Sequence, residues 1–210
     1  MNFSDIRRDF GDENQPEPNW PDEPFSLFSE WLQKAIRSNI PEANAMVLST
    51  AGEDGKPSSR VVLLKGYDAS EGFSFYTDYQ SKKGRQLEVN PNASLLFFWN
   101  FLERQIRIEG KVIKQSREQS IVYFKERPVE SQISAMVSHQ SQPIANLDKL
   151  EKQRRELMKT PGDIQCPENW GGYMLLPEKM EFWQGGRHRM HHRMEYNLID
   201  GNWQKRRLSP

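Results

Sequence analysis

The sequence predicts a mainly β protein with helices: an antiparallel β-barrel with one helix in front and others inserted late. Three observations predict it. Short runs rich in β-branched and aromatic residues follow one another, with turn clusters such as Glu53-Asp54-Gly55 between them. One amphipathic helical repeat precedes these runs, and a longer helical stretch interrupts them. The chain has 210 residues, below the roughly 250–300 at which chains usually divide into separate cores.

Residues 1–24 read as a mobile, acidic, proline-rich arm ahead of a single domain over 25–210. The first thirty residues hold eight acids against Arg7 and Arg8, and Pro16, Pro18, Pro21 and Pro24 break any helix there. Phe25, Phe28, Trp31, Leu32, Ala35 and Ile36 then recur at helical spacing until Pro41 stops the pattern. Strand-like runs occupy 45–50, 59–65, 73–77, 94–100 and 105–113, a meander whose closure into a barrel removes exposed edges. Residues 117–159 read as helical, and 146–159 carry the mixed charges of a solvated face. Strands return at 172–176, 179–184 and 187–198, with Gly185-Gly186 as a turn before the last.

Composition narrows the function. Lys+Arg and Asp+Glu number 29 each, so the chain is not a globally basic nucleic-acid binder. No stretch approaches the ~18 apolar residues of a membrane span, and the amino terminus has no apolar signal segment, so a cytoplasmic protein is expected. Cys166 is the single cysteine, which excludes a disulfide framework. No dinucleotide fingerprint, phosphate loop or G-x-S-x-G nucleophile elbow occurs. His188, His191 and His192 resemble a metal cluster, but Arg187, Arg189 and Arg193 interleave with them and would repel a divalent cation, so no metal is expected.

Charge is local instead. Over 179–210, seven Lys+Arg face three acids, together with three of the four histidines. If 187–193 is a strand, period two puts Arg187, Arg189, His191 and Arg193 on one face, beside Trp183, Gln184 and a glycine turn. That describes a pocket for a flat, charged ligand; the alternative is a solvated edge strand. A second set, Tyr123, Arg127 and Ser131, follows i, i+4, i+8 spacing and suits a phosphate monoester, although Pro128 disfavours helical geometry at Arg127 and points to two helices meeting there. A third set joins Arg60 and Lys65, at the two ends of an apolar strand, to Thr77 and to Ser81-Lys82-Lys83 at a helix amino terminus. Each has a bland reading as surface. Three together indicate two phosphorylated ligands rather than one large polyanion.

The run Arg60-Val61-Val62-Leu63-Leu64-Lys65, Phe75-Tyr76-Thr77, Leu102-Glu103-Arg104-Gln105, Phe182-Trp183-Gln184-Gly185-Gly186, Arg189-Met190-His191-His192-Arg193 and the closing Arg207-Leu208-Ser209-Pro210 together resemble the pyridoxine/pyridoxamine 5′-phosphate oxidase family. The resemblance implies an FMN-binding split β-barrel, dimeric, with FMN in clefts between the subunits of a homodimer. It implies that the 60–65 run, Tyr76, Thr77, Lys82 and Lys83 hold FMN around its phosphate. Gln105, Trp183 and Arg193 would hold the ring and ribityl chain, with Gln140 and Ser141 donated by the partner. The vitamer phosphate would lie on Lys65, Tyr123, Arg127 and Ser131, with Arg189 and His191 as the catalytic pair flanking the pyridine ring. Arg7, Arg8, Asp9 and Phe10 resemble a segment that folds over substrate. Lys82, His192 and Arg187 depart from the family pattern, where arginine, aspartate and an acidic or neutral residue are usual.

The reaction so implied oxidises C4′ of pyridoxamine or pyridoxine 5′-phosphate to pyridoxal 5′-phosphate. A hydride passes to flavin N5, and dioxygen reoxidises the flavin to give hydrogen peroxide. Two alternatives stay open on sequence grounds: a split-barrel flavin reductase for another substrate, and a non-catalytic binder of FMN or pyridoxal phosphate.

Overall fold

Alternating and continuous apolar runs build one antiparallel sheet. Its strands are β1 (Ala45–Ala51), β2 (Pro57–Leu63), β3 (Gly66–Asp68), β4 (Gly72–Asp78), β5 (Asn92–Trp99), β6 (Arg104–Lys114), β7 (Trp170–Gln184), β8 (His192–Ile199) and β9 (Asn202–Arg207). The computed structural model describes residues 5, 9–11, 16–159 and 162–210. The sheet order is β2-β1-β5-β6-β7-β4-β3, with β8 and β9 continuing from β7 as a further hairpin. Strands β2 and β3 lie at opposite ends of that order, yet only Leu64 and Lys65 separate them in the chain. The sheet must therefore curl back on itself. The expected barrel is thus a curled antiparallel sheet with helices, an α+β fold.

Helix α1 (Pro24–Arg37) supplies one side of the core. Pro24 suits a first helical position because no intrahelical partner is lost there. Phe28 and Trp31 are fully buried: Phe28 packs edge-on against Phe73 and Phe97, and Trp31 against Phe182. Helix α2 (Lys82–Val89) begins at Ser81, whose hydroxyl accepts from the Gly84 N–H at 3.3 Å. The expected helical stretch divides into α3 (Arg117–Glu126), α4 (Val129–Val137) and α5 (Leu147–Lys159). Arg127 is extended between α3 and α4 (φ −73°, ψ 150°), as its position before Pro128 requires. These helices enclose a smaller core of Phe124, Ile133, Val137, Ile164, Cys166 and Trp170.

Three expectations are corrected. Residues 172–176 and 179–184 form one strand, β7, with a bulge opposite Glu109 and Gly110; Pro177, which lacks an N–H, sits there. Residues 187–198 are not one strand. Arg187–Arg189 forms a short 3-10 turn in which His188 and Arg189 are left-handed (φ 52° and 64°), so the alternation of Arg187, Arg189, His191 and Arg193 on one face is lost and pairing resumes only at His192. The β3 and β9 strands were not expected; β9 follows a tight turn at Asp200 and Gly201, both of positive φ. Among the described residues no helix is long and apolar enough to cross a membrane.

The amino end of α2 approaches β4 closely. A Cβ on Gly84 would stand 2.0 Å from the Tyr79 carbonyl oxygen. Gly84→Ala is expected to cost about 1–3 kcal/mol by overpacking and to shift the helix start; urea unfolding of both proteins measures it.

Candidate functional site

A cleft of about 920 Å³ opens between β2, β4, the start of α2 and the α3–α4 junction, within the size range of small-molecule sites. Its positive charge is built into the walls. Arg60, on β2, donates to the Thr50 hydroxyl (2.6 Å), the Ser58 hydroxyl (2.7 Å) and the Leu48 carbonyl (3.2 Å). Lys83, on α2, is buried at 6% exposure and donates to Gln140 Oε1 (2.7 Å), Thr77 Oγ1 (3.0 Å) and Ser81 Oγ (3.3 Å). Every one of these acceptors is neutral. Burial, then the nearby Arg60 guanidinium, pulls the Lys83 amine down to about 8, against a weaker upward pull from Asp78. Burial likewise lowers Arg60. Lys82 is exposed and lines the same cleft, as do Tyr76, Ser141, Val61, Val62 and Leu63. Leu64 points away into the barrel core at 5% exposure.

The same cleft gathers Lys65, Tyr123, Arg127 and Ser131. They meet through the extended break at Arg127, not along one continuous helix. Tyr123 stacks on Tyr76 with ring centroids 3.9 Å apart, and the Lys65 ammonium lies 5.9 Å from the Tyr123 ring. The Arg127 guanidinium carbon stands 4.6 Å from the Trp170 ring, and its buried Nη1 has no hydrogen-bond partner. A half-buried guanidinium with a buried, uncommitted donor fits an anion, phosphate above all.

Gln105, Trp183, Arg189, His191 and Arg193 form a second group, and none of them lines the cleft. Gln105, Trp183 and Arg193 are direct cross-strand neighbours on β6, β7 and β8. Arg193 is held by the buried Glu181 carboxylate (2.9 and 2.8 Å) and donates to the Ser209 carbonyl (2.9 Å). Glu181 also pairs with Arg107 at 2.5 Å. The His191 ring lies 4.8 Å from Trp183, and its Nδ1 accepts from the Gly186 N–H at 3.1 Å. Burial, reinforced by Arg189, Arg193 and His192, lowers the His191 pKa, so the neutral ring with Nε2–H as donor prevails at pH 7. Arg189 is exposed in its turn.

Of the amino-terminal residues, Arg7 and Arg8 lie outside the described residues. Asp9 is exposed. Phe10 packs edge-on against Trp183 and His191, at 5.6 and 6.0 Å, over Gly185, where a Cβ would come within 2.8 Å of it. Further along, Glu17 pairs with Arg207, Asp22 with Lys205 at 2.8 Å, and the Pro21 carbonyl accepts from the Tyr196 hydroxyl at 2.8 Å.

Three comparisons with known proteins place the chain in a family. The family model described as pyridoxamine 5′-phosphate oxidase matches residues 32–157, and the one described as the pyridoxine 5′-phosphate oxidase C-terminal dimerisation region matches 170–210. The chain belongs to the pyridoxine/pyridoxamine 5′-phosphate oxidase family. Its relatives in that family include the pyridoxine/pyridoxamine 5′-phosphate oxidases of Pseudomonas syringae pv. tomato, 48% identical over 99% of this chain and 98% of that one, and of Herminiimonas arsenicoxydans, 47% identical over the full length of both. Among solved structures, PhzG of Burkholderia lata 383, crystallised with tetrahydrophenazine-1-carboxylic acid, is 32% identical with a TM-score of 0.87 over 90% of this chain and 94% of that chain. An FMN-binding protein of Nostoc punctiforme, described as pyridoxamine 5′-phosphate oxidase-related, shares the fold at a TM-score of 0.72 and 18% identity, over 89% of this chain and 97% of that chain.

One expectation drawn from the family likeness needs correction on geometry. Gln140 and Ser141 were expected from a partner subunit, but they line this chain's own cleft, with Gln140 bonded to Thr77 and Lys83. Sequence reasoning missed Trp170, Asp78 and Glu181. A buried ion pair such as Glu181–Arg193 leaves no local sequence signal, because its members meet only through strand register.

Since Lys83 must carry its proton to attract an anion, affinity of the ligand-free protein for a phosphate-bearing ligand is expected to fall as pH rises through about 8, by up to roughly tenfold per pH unit while the amine deprotonates. Calorimetric titration between pH 7 and 10 measures this, and Lys83→Met should flatten the profile as well as weaken binding.

Proposed function

We propose that the chain is an FMN-dependent oxidase that converts pyridoxamine or pyridoxine 5′-phosphate to pyridoxal 5′-phosphate, working as a homodimer. The observation that carries this is a single cleft lined by two cationic groups, Arg60 with Lys83 and Lys65 with Arg127, suited to two phosphorylated molecules. The residues fit a flavin phosphate: a buried ammonium and a half-buried guanidinium with only neutral hydrogen-bond acceptors call for an anion. Arg60, Lys82, Lys83 and Thr77 would hold that phosphate, with Gln140, Ser141, Tyr76 and the 61–64 run beside it. Lys65, Tyr123, Arg127 and Ser131 would hold the vitamer phosphate.

The Gln105–Trp183–Arg193 rung, Arg189 and His191 lie away from this cleft, so a second copy would deliver its own set across the interface, completing the site. The match of 170–210 to a dimerisation region supports this, as do the exposed apolar side chains Val61, at the cleft, and Phe98, beside Gln105. When bound, the flavin supplies the redox chemistry, taking two electrons from C4′ and returning them to dioxygen as hydrogen peroxide. The chain's own work is orientation and electrostatics. The neutral His191 would donate from Nε2 to the vitamer, with Arg189 beside it, and Phe10 of the 1–24 arm would shield Trp183 from water, while residues 25–210 would form the domain that holds both groups.

The second reading follows PhzG, whose crystal holds a carboxylated ring without phosphate. The two cationic groups and the 48% identity to the Pseudomonas syringae oxidase favour the ester. Purified protein should be yellow and form pyridoxal phosphate only in air. Turnover of a phosphate-free carboxylated ring, with none of the ester, overturns the reading. Arg189→Ala is expected to lower turnover by about 100-fold while flavin content stays within about twofold, because it removes a contact to substrate alone. Lys82→Ala should weaken flavin retention first. Mixing inactive Lys83→Ala and Trp183→Ala subunits should restore about a quarter of wild-type activity, since half of the random dimers regain one intact site of two.

A further inference from the structure

We infer that Trp170 is a positioning residue for the substrate phosphate, presenting the Arg127 guanidinium on its ring face so that the donors stay free for the ester. This rests on the functional reading above and adds a residue to it.

Two arginines in this molecule are held in opposite ways. Arg193 is gripped by the Glu181 carboxylate, which neutralises it and commits its Nε and Nη2 donors. Arg127, among the described residues, meets no carboxylate at ion-pair distance. It is held by aromatic faces: its guanidinium carbon is 4.6 Å from the Trp170 ring and 5.6 Å from Phe124. A ring face attracts the cation without accepting its in-plane hydrogen bonds. The charge stays uncompensated and the buried Nη1 stays without a partner. Those are the properties a phosphate-binding arginine needs before the ligand arrives.

Trp170 itself is fixed by bonds that do not involve its ring. Its carbonyl accepts from Arg117 Nη1 at 2.9 Å, its N–H donates to the Pro167 carbonyl at 3.0 Å, and it pairs in register with Asp78 of β4. The ring then runs nearly parallel to Tyr76, at 15°, and to Tyr123, at 9°. The indole thus meets Arg127 directly, while Tyr123 lies 6.3 Å from it and stacks on Tyr76 at 3.9 Å, so both side chains offered to the phosphate belong to one aromatic stack. Trp170 also lines the cleft.

The test uses the flavin-loaded enzyme with pyridoxamine 5′-phosphate, alongside equilibrium titration of pyridoxal 5′-phosphate. Trp170→Leu should raise KM for the ester and Kd for pyridoxal phosphate about tenfold or more, with kcat within twofold and flavin content unchanged. Trp170→Phe keeps a ring face with weaker attraction, so both constants should rise only two- to fourfold. If the leucine variant does not fold, the phenylalanine variant carries the test alone. Unchanged KM and Kd in a folded variant overturn the inference, as does a fall in kcat and flavin content with KM unmoved, which marks a structural role. Wild-type protein that binds no pyridoxal phosphate overturns the functional reading and this inference with it. Wild-type binding with unaffected Trp170 variants overturns the inference alone.

Discussion

Positive charge held by neutral hydrogen-bond acceptors, with the Asp78 carboxylate only weakly offsetting it, is the constraint on which the cleft depends. Lys83 and Arg60 stand close enough for each to feel the other, and hydroxyls, a carbonyl and a carboxamide satisfy their donors. Neutral acceptors satisfy hydrogen bonds but leave the field in place, and in a partly dry site that field is strong. Such a pair is costly until an anion arrives. The rest of the fold works to tolerate it: Ser81 starts α2 so that Lys83 faces inward, and Gly84 lets that helix sit against the Tyr79 carbonyl.

The curled sheet does the corresponding work at larger scale. Because Leu64 and Lys65 alone connect the two ends of the sheet order, β2 and β4 are forced to face each other across the cleft. The α3–α4 break then turns Arg127 toward the same space as Tyr123 and Ser131. Outside the cleft lining, strand register alone lines up Gln105, Trp183 and Arg193. One group depends on a bend and a break, the other on a flat ladder.

That difference explains what could be read from the sequence. The start of α2 was legible because an N-cap serine followed by lysines is a local pattern. The helix break at Pro128 was legible for the same reason, through the restriction on the residue before proline. The strand expected over 187–198 was not sound at its start. Alternating cations are consistent with a strand, but they carry no sign of the left-handed backbone at His188 and Arg189. The Asp200-Gly201 turn was a readable hairpin signal, hidden by the highly charged strand that follows it. Roles for Gln105, Trp183 and Arg193 came from family likeness, since no periodicity joins residues so far apart in the chain.

The carboxyl-terminal residues brace the Arg193 flank and hold the segment ahead of α1. Ser209 accepts from Arg193, Leu208 donates to its carbonyl, and Arg207 and Lys205 clasp Glu17 and Asp22 ahead of α1. The carboxyl-terminal residues are therefore not a neutral place for a purification tag. A fusion after Pro210 would project from the residue pair that braces this guanidinium. Handles for immobilisation or labelling belong instead on the exposed face of α5, which has no buried residue and lies outside the cleft lining.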